Sequence, residues 1–291
     1  MVKKTYIHAQ SQALPGSEAK LVPPALIIRD DYQGSKKLHG KVALITGGDS
    51  GIGRSVALHF AREGAHIALT YLPDSAEEAA DAASIKTLIE QEGQHCLTYA
   101  VDLRHSDTCK KLVSEVVSAF GQLNILVNNA GTKYPVEDIL ELSDEQWLDT
   151  FDVNIHSMFF LTKAALRYLH EDDSIINTTS VNAYVGPAFL IDYTATKGAI
   201  VSFTRALSNQ VVKKGIRVNA VAPGPVWTPL QPATLGNHNP QWLEDFGHDT
   251  PMGRAGQPAE LGPVYVFLAS ADSSYLSGQV LHPNGGMMVG G

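Results

Sequence analysis

Tyr193 and Lys197 stand four positions apart in the segment IDYTATKGAI, residues 191–200. If this segment is helical, the two side chains lie on one face, one turn apart, and can meet. A nearby positive charge favours the ionised form of a phenol, so Lys197 is expected to lower the pKa of Tyr193. Bringing a tyrosine pKa from about 10 to about 7 requires roughly 4 kcal/mol of differential stabilisation. The pair therefore marks a candidate acid–base site.

The composition restricts the classes of protein to which the chain can belong. It has 291 residues, 44% of them hydrophobic, and a formal net charge of −8. That charge argues against a nucleic-acid or anionic-membrane partner. No apolar run approaches the roughly 20 residues of a membrane span, and the N-terminus has no apolar signal-peptide core. Cys96 and Cys109 form no CxxC motif, the histidines show no metal-ligand spacing, and we expect a cytoplasmic protein without a catalytic metal.

The chain divides into two parts by its patterning. Residues 1–39 are polar, contain Pro15, Pro23 and Pro24, and show no sustained period, which indicates an N-terminal extension that drapes over the body or over a neighbouring subunit. From residue 40, short apolar runs at 41–46, 66–71, 95–102, 125–130, 174–180, 216–224 and 279–286 alternate with helical segments. Because the runs are apolar on both faces, they predict a parallel sheet covered on both sides. We therefore expect one α/β domain at 40–291, a doubly wound Rossmann-type sheet of about seven strands with helices on both faces.

A glycine-rich turn follows the first predicted strand. TGGDSGIG, residues 46–53, carries glycines at 47, 51 and 53, spaced G-x-x-x-G-x-G instead of the usual G-x-G-x-x-G. A turn without Cβ atoms that opens a helix allows close approach of a pyrophosphate to the helix N-terminus. An ordinary strand–helix turn can also be rich in glycine. The position of this turn after the first strand of an α/β pattern favours a dinucleotide site.

The second strand bears on the choice of dinucleotide. An acidic residue that binds the adenosine ribose is expected about 20 residues after the turn. Tyr71 stands at the end of that strand, and Asp74 lies only in the loop beyond. With no carboxylate predicted there, Thr70, Tyr71 and Arg54 could accept a 2′-phosphate, which favours NADP over NAD.

Four features occur in order along the chain: TGGDSGIG, NNAG at 128–131, NTTS ending at Ser180, and YTATK at 193–197. Ser180 and Tyr193 are thirteen residues apart, at a predicted strand end and a predicted helix start. Over residues 40–288 this ordered set resembles the short-chain dehydrogenase/reductase family in its single-domain form. The sequence GGDSGIGR and the N-terminal extension resemble those of the bacterial branch that includes NADP-dependent aldehyde reductases and relatives of glucose/ribitol dehydrogenases.

The resemblance implies roles for individual residues. Tyr193 matches the general acid/base, Lys197 the residue that lowers its pKa and binds the nicotinamide ribose, and Ser180 the hydroxyl that polarises the substrate oxygen. Asn154 matches an asparagine that sustains a water-linked proton relay. The glycine-rich turn, the second strand and the resemblance together give the predicted cofactor-binding set, which in addition to Tyr193 and Lys197 is Gly47, Asp49, Ser50, Gly51, Ile52, Gly53, Tyr71, Asp102, Leu103, Asn129, Ala130, Gly131, Pro223, Gly224, Val226 and Thr228.

Two further segments bear on substrate and assembly. Residues 227–250 are interrupted by prolines and are expected to form a loop over the site, in which Trp227, Leu230, Trp242 and Phe246 either line an apolar pocket or pack the loop to the body. The helices that begin near 148 and 193 are apolar on more than one face, which leaves a face for a partner. Because the family commonly pairs these helices, we expect a homotetramer.

The predicted function is hydride transfer between NADP(H) and a small aldehyde or ketone and its alcohol. An NAD-dependent sugar or polyol dehydrogenase is the nearest alternative. A dinucleotide-binding regulatory protein with little turnover, or a stress-related assembly protein, would belong to another class. An intact Ser180, Tyr193 and Lys197 argues against a regulator, because a sensor needs no proton donor.

Overall fold

The structure, a computed structural model, describes residues 6–290. Residues 1–5, which begin the predicted extension, and Gly291, which ends the predicted domain, lie outside the described residues. No helix of residues 6–290 combines the length and the apolar character needed to cross a bilayer.

Within residues 6–290, seven strands form one sheet, and all neighbouring strands are parallel. The strands are β1 (Val42–Ile45), β2 (His66–Tyr71), β3 (Cys96–Ala100), β4 (Ile125–Asn128), β5 (Ser174–Thr178), β6 (Arg217–Val221) and β7 (Val280–Leu281). Their order, β3-β2-β1-β4-β5-β6-β7, confirms the predicted doubly wound fold. Strands β2 and β3 lie on one side of β1, and β4 to β7 lie on the other, so the strand order changes direction between β1 and β4. A crevice therefore opens at the carboxyl ends of these two strands.

Helices cover both faces of the sheet. They are α1 (Gly51–Arg62), α2 (Ala76–Gln91), α3 (Ser106–Phe120), α4 (Asp144–Phe151), α5 (Ser157–Ala165), α6 (Asn182–Val185), α7 (Ile191–Val211), α8 (Leu230–His238) and α9 (Pro258–Ala269). On one face α1, α2 and α9 bury residues such as Val56 and Ile85 against the strands. On the other face α3, α5 and α7 bury residues such as Val113 and Leu161. Two apolar layers therefore hold the strand ends in place.

The N-terminal segment, defined here as residues 6–39, packs on the body of the same chain. Ile7 and Leu21 join a buried cluster with Trp227, Leu235 and Leu243. The indole Nε1 of Trp227 donates a hydrogen bond of 2.8 Å to the carbonyl oxygen of Pro23. The segment thus covers the region that follows β6.

Residues 227–250 differ from the loop that the sequence predicts. They contain α8 and a 3-10 turn at Pro240–Leu243. Pro232 lies in the first turn of α8 and Pro240 begins the 3-10 turn. Proline is tolerated there, because the first N–H groups of a helix have no partner within it. These prolines therefore lie at the starts of helical turns, and the expectation of an irregular loop is wrong.

Candidate active site

The site lies at the carboxyl ends of the strands, where one cleft is lined by most of the predicted residues. The cleft has a volume of about 410 Å³. Every residue of the predicted cofactor-binding set except Gly53 lines it, and so do Ser180, Tyr193 and Lys197. Asn154 lies behind the wall of the cleft and is buried. The structure therefore brings together predicted site residues that are up to 181 positions apart, from Gly47 to Thr228.

Tyr193 occupies the first turn of α7, and Lys197 follows one turn later. The Lys197 ammonium lies 5.3 Å from the centroid of the Tyr193 ring and donates a hydrogen bond of 3.0 Å to the Thr178 carbonyl. Ser180 follows the end of β5, and its hydroxyl accepts a hydrogen bond of 3.1 Å from the Asn182 backbone N–H. The strand end and the helix start therefore hold the hydroxyl, the phenol and the amine in one place.

The pKa values differ from the expectation for the tyrosine. Burial raises the pKa of Tyr193 to about 12, and a hydrogen bond with the Ser180 side chain opposes that rise. Burial lowers the pKa of Lys197 to about 8. The predicted lowering of the Tyr193 pKa by Lys197 is wrong for this structure, because burial disfavours the phenolate and is the largest contribution to the pKa. At neutral pH the phenol therefore carries its proton.

Asn154 lies in a π-helical turn, Asp152–His156, between α4 and α5. Such wider turns are frequent at functional sites. Its side-chain amide donates to the Thr132 carbonyl (2.9 Å) and to the Thr196 hydroxyl (3.0 Å), and its oxygen accepts the Thr132 N–H (2.8 Å). A Cβ on Gly131 would lie 3.2 Å from the Asn154 oxygen and 3.5 Å from the Lys197 nitrogen. Asn154 thus fixes the chain after β4 beside Lys197.

The glycine-rich turn has the geometry of a pyrophosphate site. Gly47 and Gly51 have φ angles of +57° and +52°, which other residues rarely adopt. A Cβ on Gly53 would lie 1.9 Å from the Gly47 carbonyl oxygen, so Gly53 is needed for packing behind the turn. The turn opens the N-terminus of α1, where Gly51 N–H donates to Glu18 of the N-terminal segment (2.9 Å). Positive partial charge at a helix N-terminus suits an anion, so these residues fit a dinucleotide.

At the end of the cleft beside β2, Arg54 and Glu78 differ from the expectation for the ribose site. Arg54 is buried and donates to the carbonyls of Asp49 and Asp81 (3.0 and 2.9 Å), so its guanidinium does not line the cleft. The expectation of no carboxylate there is wrong, because Glu78 lines the cleft and accepts the Leu72 N–H at 3.3 Å. A carboxylate from the start of α2 therefore stands near the end of β2.

Glu78 and Asp49 form a carboxyl pair. Burial, followed by the charge of Glu78, holds the pKa of Asp49 well above its usual range, and burial raises the pKa of Glu78. Two adjacent carboxyls in a desolvated site cannot both ionise easily. The pair therefore tends to hold a proton, which reduces its repulsion of a phosphate.

The apolar residues of 227–250 have different positions. Leu230 lines the cleft, which agrees with the first of the two alternatives, a pocket-lining role. Trp227 is fully buried, and Trp242 and Phe246 pack against the same cluster beneath the N-terminal segment. These three residues therefore pack α8 and the following turn to the body and do not form a pocket wall.

The cleft residues that were not identified from the sequence include five that bear on ligand binding, which are Leu14, Pro15, Glu78, Lys133 and Gln231. Only Lys133, two positions after NNAG, stands close to a motif that could have indicated it. In the described part of the chain, no group of three or more His, Cys, Asp or Glu side chains is arranged to hold a metal ion.

Comparison with known proteins identifies the class to which this fold and site belong. A family model described as enoyl-(acyl carrier protein) reductase, within the short-chain dehydrogenases/reductases, matches residues 47–288. The chain belongs to the short-chain dehydrogenase/reductase family and is an NAD(P)-dependent oxidoreductase acting on CH–OH or carbonyl groups. The resemblance inferred from the ordered motifs is confirmed.

Particular relatives are similar over nearly their whole length. The NADPH-dependent aldehyde reductase 1, chloroplastic, of Arabidopsis thaliana is 50% identical, with 96% of this chain and 97% of the relative covered. The glucose and ribitol dehydrogenase of Daucus carota is 49% identical, with 97% of each covered. A solved short-chain dehydrogenase from Burkholderia cenocepacia J2315 in complex with NADP superposes with a TM-score of 0.77 at 30% identity, covering 86% of this chain and 98% of that one.

Proposed function

We propose that this enzyme reversibly reduces a small aldehyde or ketone to its alcohol with NADP(H). The observation that carries the proposal is the single cleft in which Ser180, Tyr193 and Lys197 stand beside the glycine-rich turn. A bound nicotinamide cofactor would supply the hydride, and the protein has to orient the reactants and manage one proton.

In this proposal Tyr193 gives its proton to the carbonyl oxygen during reduction and takes it back during oxidation. Burial raises its pKa to about 12, so at neutral pH the phenol carries the proton that reduction requires. Ser180 donates a hydrogen bond to the same oxygen as negative charge develops there. Lys197 helps to hold the cofactor ribose, and Asn154 positions the Thr132 segment through the contacts described above.

The choice of NADP(H) has support from two sources. A relative at 50% identity is named an NADPH-dependent aldehyde reductase, and a similar solved structure was obtained with NADP. In addition, the end of β2 carries Tyr71 where NAD-preferring members have an acidic residue. The remaining members of the predicted cofactor-binding set are proposed to contact the dinucleotide.

A second function is favoured by a specific observation. Glu78 lines the adenosine end of the cleft, where a carboxylate would bind a 2′-hydroxyl and favour NAD. A relative at 49% identity is named a glucose and ribitol dehydrogenase. NAD-dependent oxidation of a sugar or polyol is therefore the alternative.

The proposal extends to organisation and location. Residues 1–39 are proposed to be an extension of a catalytic domain at 40–291, and the enzyme is proposed to be a cytoplasmic homotetramer. Subcellular fractionation tests the location.

The test of the reaction is Tyr193→Phe, which removes the transferable proton but keeps the ring. We expect NADPH-dependent reduction of a panel of aldehydes and ketones to fall by roughly a hundredfold or more. NADPH affinity, measured by fluorescence titration, should stay within about twofold of wild type.

Thr194→Val, a neighbouring hydroxyl removed at similar volume, is the control and should keep its activity. Full activity in Tyr193→Phe would contradict the proposed acid–base role. Tight NADPH binding by the wild type with no turnover on the panel would instead favour a regulatory protein.

A further inference from the structure

Lys133 lies in the catalytic cleft, and neither the family motifs nor the proposed mechanism uses it. It directly follows Thr132, the residue whose backbone Asn154 fixes through two hydrogen bonds. The Lys133 residue is only 7% exposed, and it lines the cleft together with Ser180 and Tyr193. Its main chain is therefore held firmly, and its side chain faces the space that a substrate would enter.

The ammonium of Lys133 has little to bind within the protein. Nζ donates a hydrogen bond of 2.7 Å to the side-chain oxygen of Gln231 in α8. An ammonium has three N–H donors, so two remain for another partner. Among residues 6–290, no carboxylate oxygen lies within 4.0 Å of this nitrogen. Lysine is almost never fully buried unless it is paired with a negative charge, so a buried lysine without a carboxylate partner is unusual.

Gln231 is itself held in place. Its amide nitrogen donates to the Val226 carbonyl at 3.1 Å and lies 3.5 Å from the Thr228 hydroxyl. Its oxygen is consequently directed at Lys133, and the lysine head is held between the segment after β4 and helix α8. Burial alone lowers the pKa of Lys133 to about 7. An anion bound here would compensate the buried charge.

We propose that Lys133, positioned by Gln231, binds a negatively charged oxygen group on the substrate, and that the preferred substrates are carbonyl compounds carrying a carboxylate or a phosphate. This inference rests on the proposed reductase function. A charge-assisted hydrogen bond in a desolvated cleft is stronger than one between neutral groups. The subsite therefore orients the substrate with its carbonyl toward Ser180 and Tyr193.

The experiment compares substrates that differ only in the charged group. Wild type and Lys133→Met are assayed at saturating NADPH with 4-oxobutanoate against butanal, and with glyceraldehyde 3-phosphate against glyceraldehyde. For the anionic member of at least one pair, Lys133→Met should raise KM roughly tenfold or more. KM for the neutral member and kcat for both should change less than about twofold. The substrate pair in which KM rises for the anionic member shows whether the subsite prefers a carboxylate or a phosphate.

Lys213→Met, which removes the same charge from an exposed position, is the matched control and should leave all KM values unchanged. The affinity for NADPH should also be unchanged in Lys133→Met. An equal loss for charged and neutral substrates, or a large loss of NADPH affinity, would overturn the proposal. Because Lys133→Met also leaves the Gln231 oxygen without its donor, the melting temperatures of both variants are measured to separate a loss of stability from a loss of substrate affinity.

A binding experiment separates this inference from the reductase function. Succinate and inorganic phosphate, which cannot be reduced, are titrated into the NADP-loaded wild type and Lys133→Met by calorimetry. We expect one of them to bind the wild type at least tenfold more tightly than the variant. If the wild type reduces aldehydes but neither anion distinguishes the two proteins, the anion subsite is wrong and the reductase function stands. If no substrate is reduced but an anion does distinguish them, the reductase function is wrong and the subsite stands.

Discussion

At the residue scale, cofactor choice depends on a few side chains around the end of β2. Tyr71 and Glu78 both line the cleft, and Asp49 lies beside Glu78 with its oxygen Oδ2 buried and without a hydrogen-bond partner among the described residues. A carboxylate fixed at the end of the strand would repel a 2′-phosphate and bind a 2′-hydroxyl. The Asp49–Glu78 pair has raised pKa values and so opposes a phosphate less than an ordinary aspartate would.

We predict that the wild type binds NADPH more tightly than NADH and that Tyr71→Asp shifts the preference toward NADH by roughly tenfold, because it adds a charge to the end of β2. Fluorescence titration of each protein with both cofactors measures this shift. Tyr71→Phe is the control, since it keeps the ring without adding charge. A wild type that prefers NADH would contradict the prediction and identify Glu78 as the candidate contact to the 2′-hydroxyl, which Glu78→Gln would then test.

At the element scale, the N-terminal segment supports the helices around the cleft. Gln12 N–H donates to the Pro232 carbonyl at 3.2 Å, and the Gln12 carbonyl accepts from the Asn237 side chain at 2.7 Å, both in α8. Leu14 and Pro15 form part of the cleft wall. Leu21 is 2% exposed in the cluster that includes Trp227. The segment and α8 are therefore expected to gain or lose order together.

Leu21→Ala is predicted to lower the free energy of unfolding by about 2–4 kcal/mol, because it leaves a cavity under α8. The adjacent Val22 is 59% exposed, so Val22→Ala is a matched control with an expected loss below about 0.5 kcal/mol. Urea unfolding measures both values. Equal stability of the two variants would show that the segment does not hold α8.

At the scale of the whole molecule, apolar side chains remain exposed on the helices that were expected to form subunit contacts. Leu148 of α4 and Phe159 of α5 are 58% and 42% exposed. Phe159 contacts the Phe160 ring at 5.7 Å between centroids. The exposed face of α7 is more polar than expected and includes Ser202, Arg205, Asn209 and Gln210. The apolar part of the expected interface therefore lies on α4 and α5.

We predict that the wild type is a homotetramer and that Phe159→Glu reduces the oligomer mass, because it places a charge in the buried interface. Light scattering coupled to size-exclusion chromatography measures the mass. Leu140→Glu is the control: Leu140 is 90% exposed in a short turn outside these helices, and its variant should keep the wild-type mass. A monomeric wild type, or an unchanged mass for Phe159→Glu, would contradict the prediction.

The sequence alone determined the sheet and the order of its motifs. Apolar runs of strand length alternate with helical segments, and this local pattern was sufficient to predict all seven strands. The final strand is shorter than predicted, because Pro283 has no N–H to continue the ladder after Leu281. Tyr193 and Lys197 were found from their helical spacing, and Ser180 from the family resemblance that the ordered motifs carry.

Only the tertiary structure decided properties that depend on neighbours distant in the chain. The direction of the Tyr193 pKa shift depends on how far the folded chain buries the phenol, and the sequence does not show the extent of that burial. Arg54 faces away from the cleft because the backbone carbonyls of Asp49, in the glycine-rich turn, and Asp81, in α2, accept its hydrogen bonds. Lys133 is an ordinary loop lysine in the sequence. It becomes a buried amine without a counter-charge only in the folded chain, where Gln231 of α8, about 100 positions later, accepts its hydrogen bond.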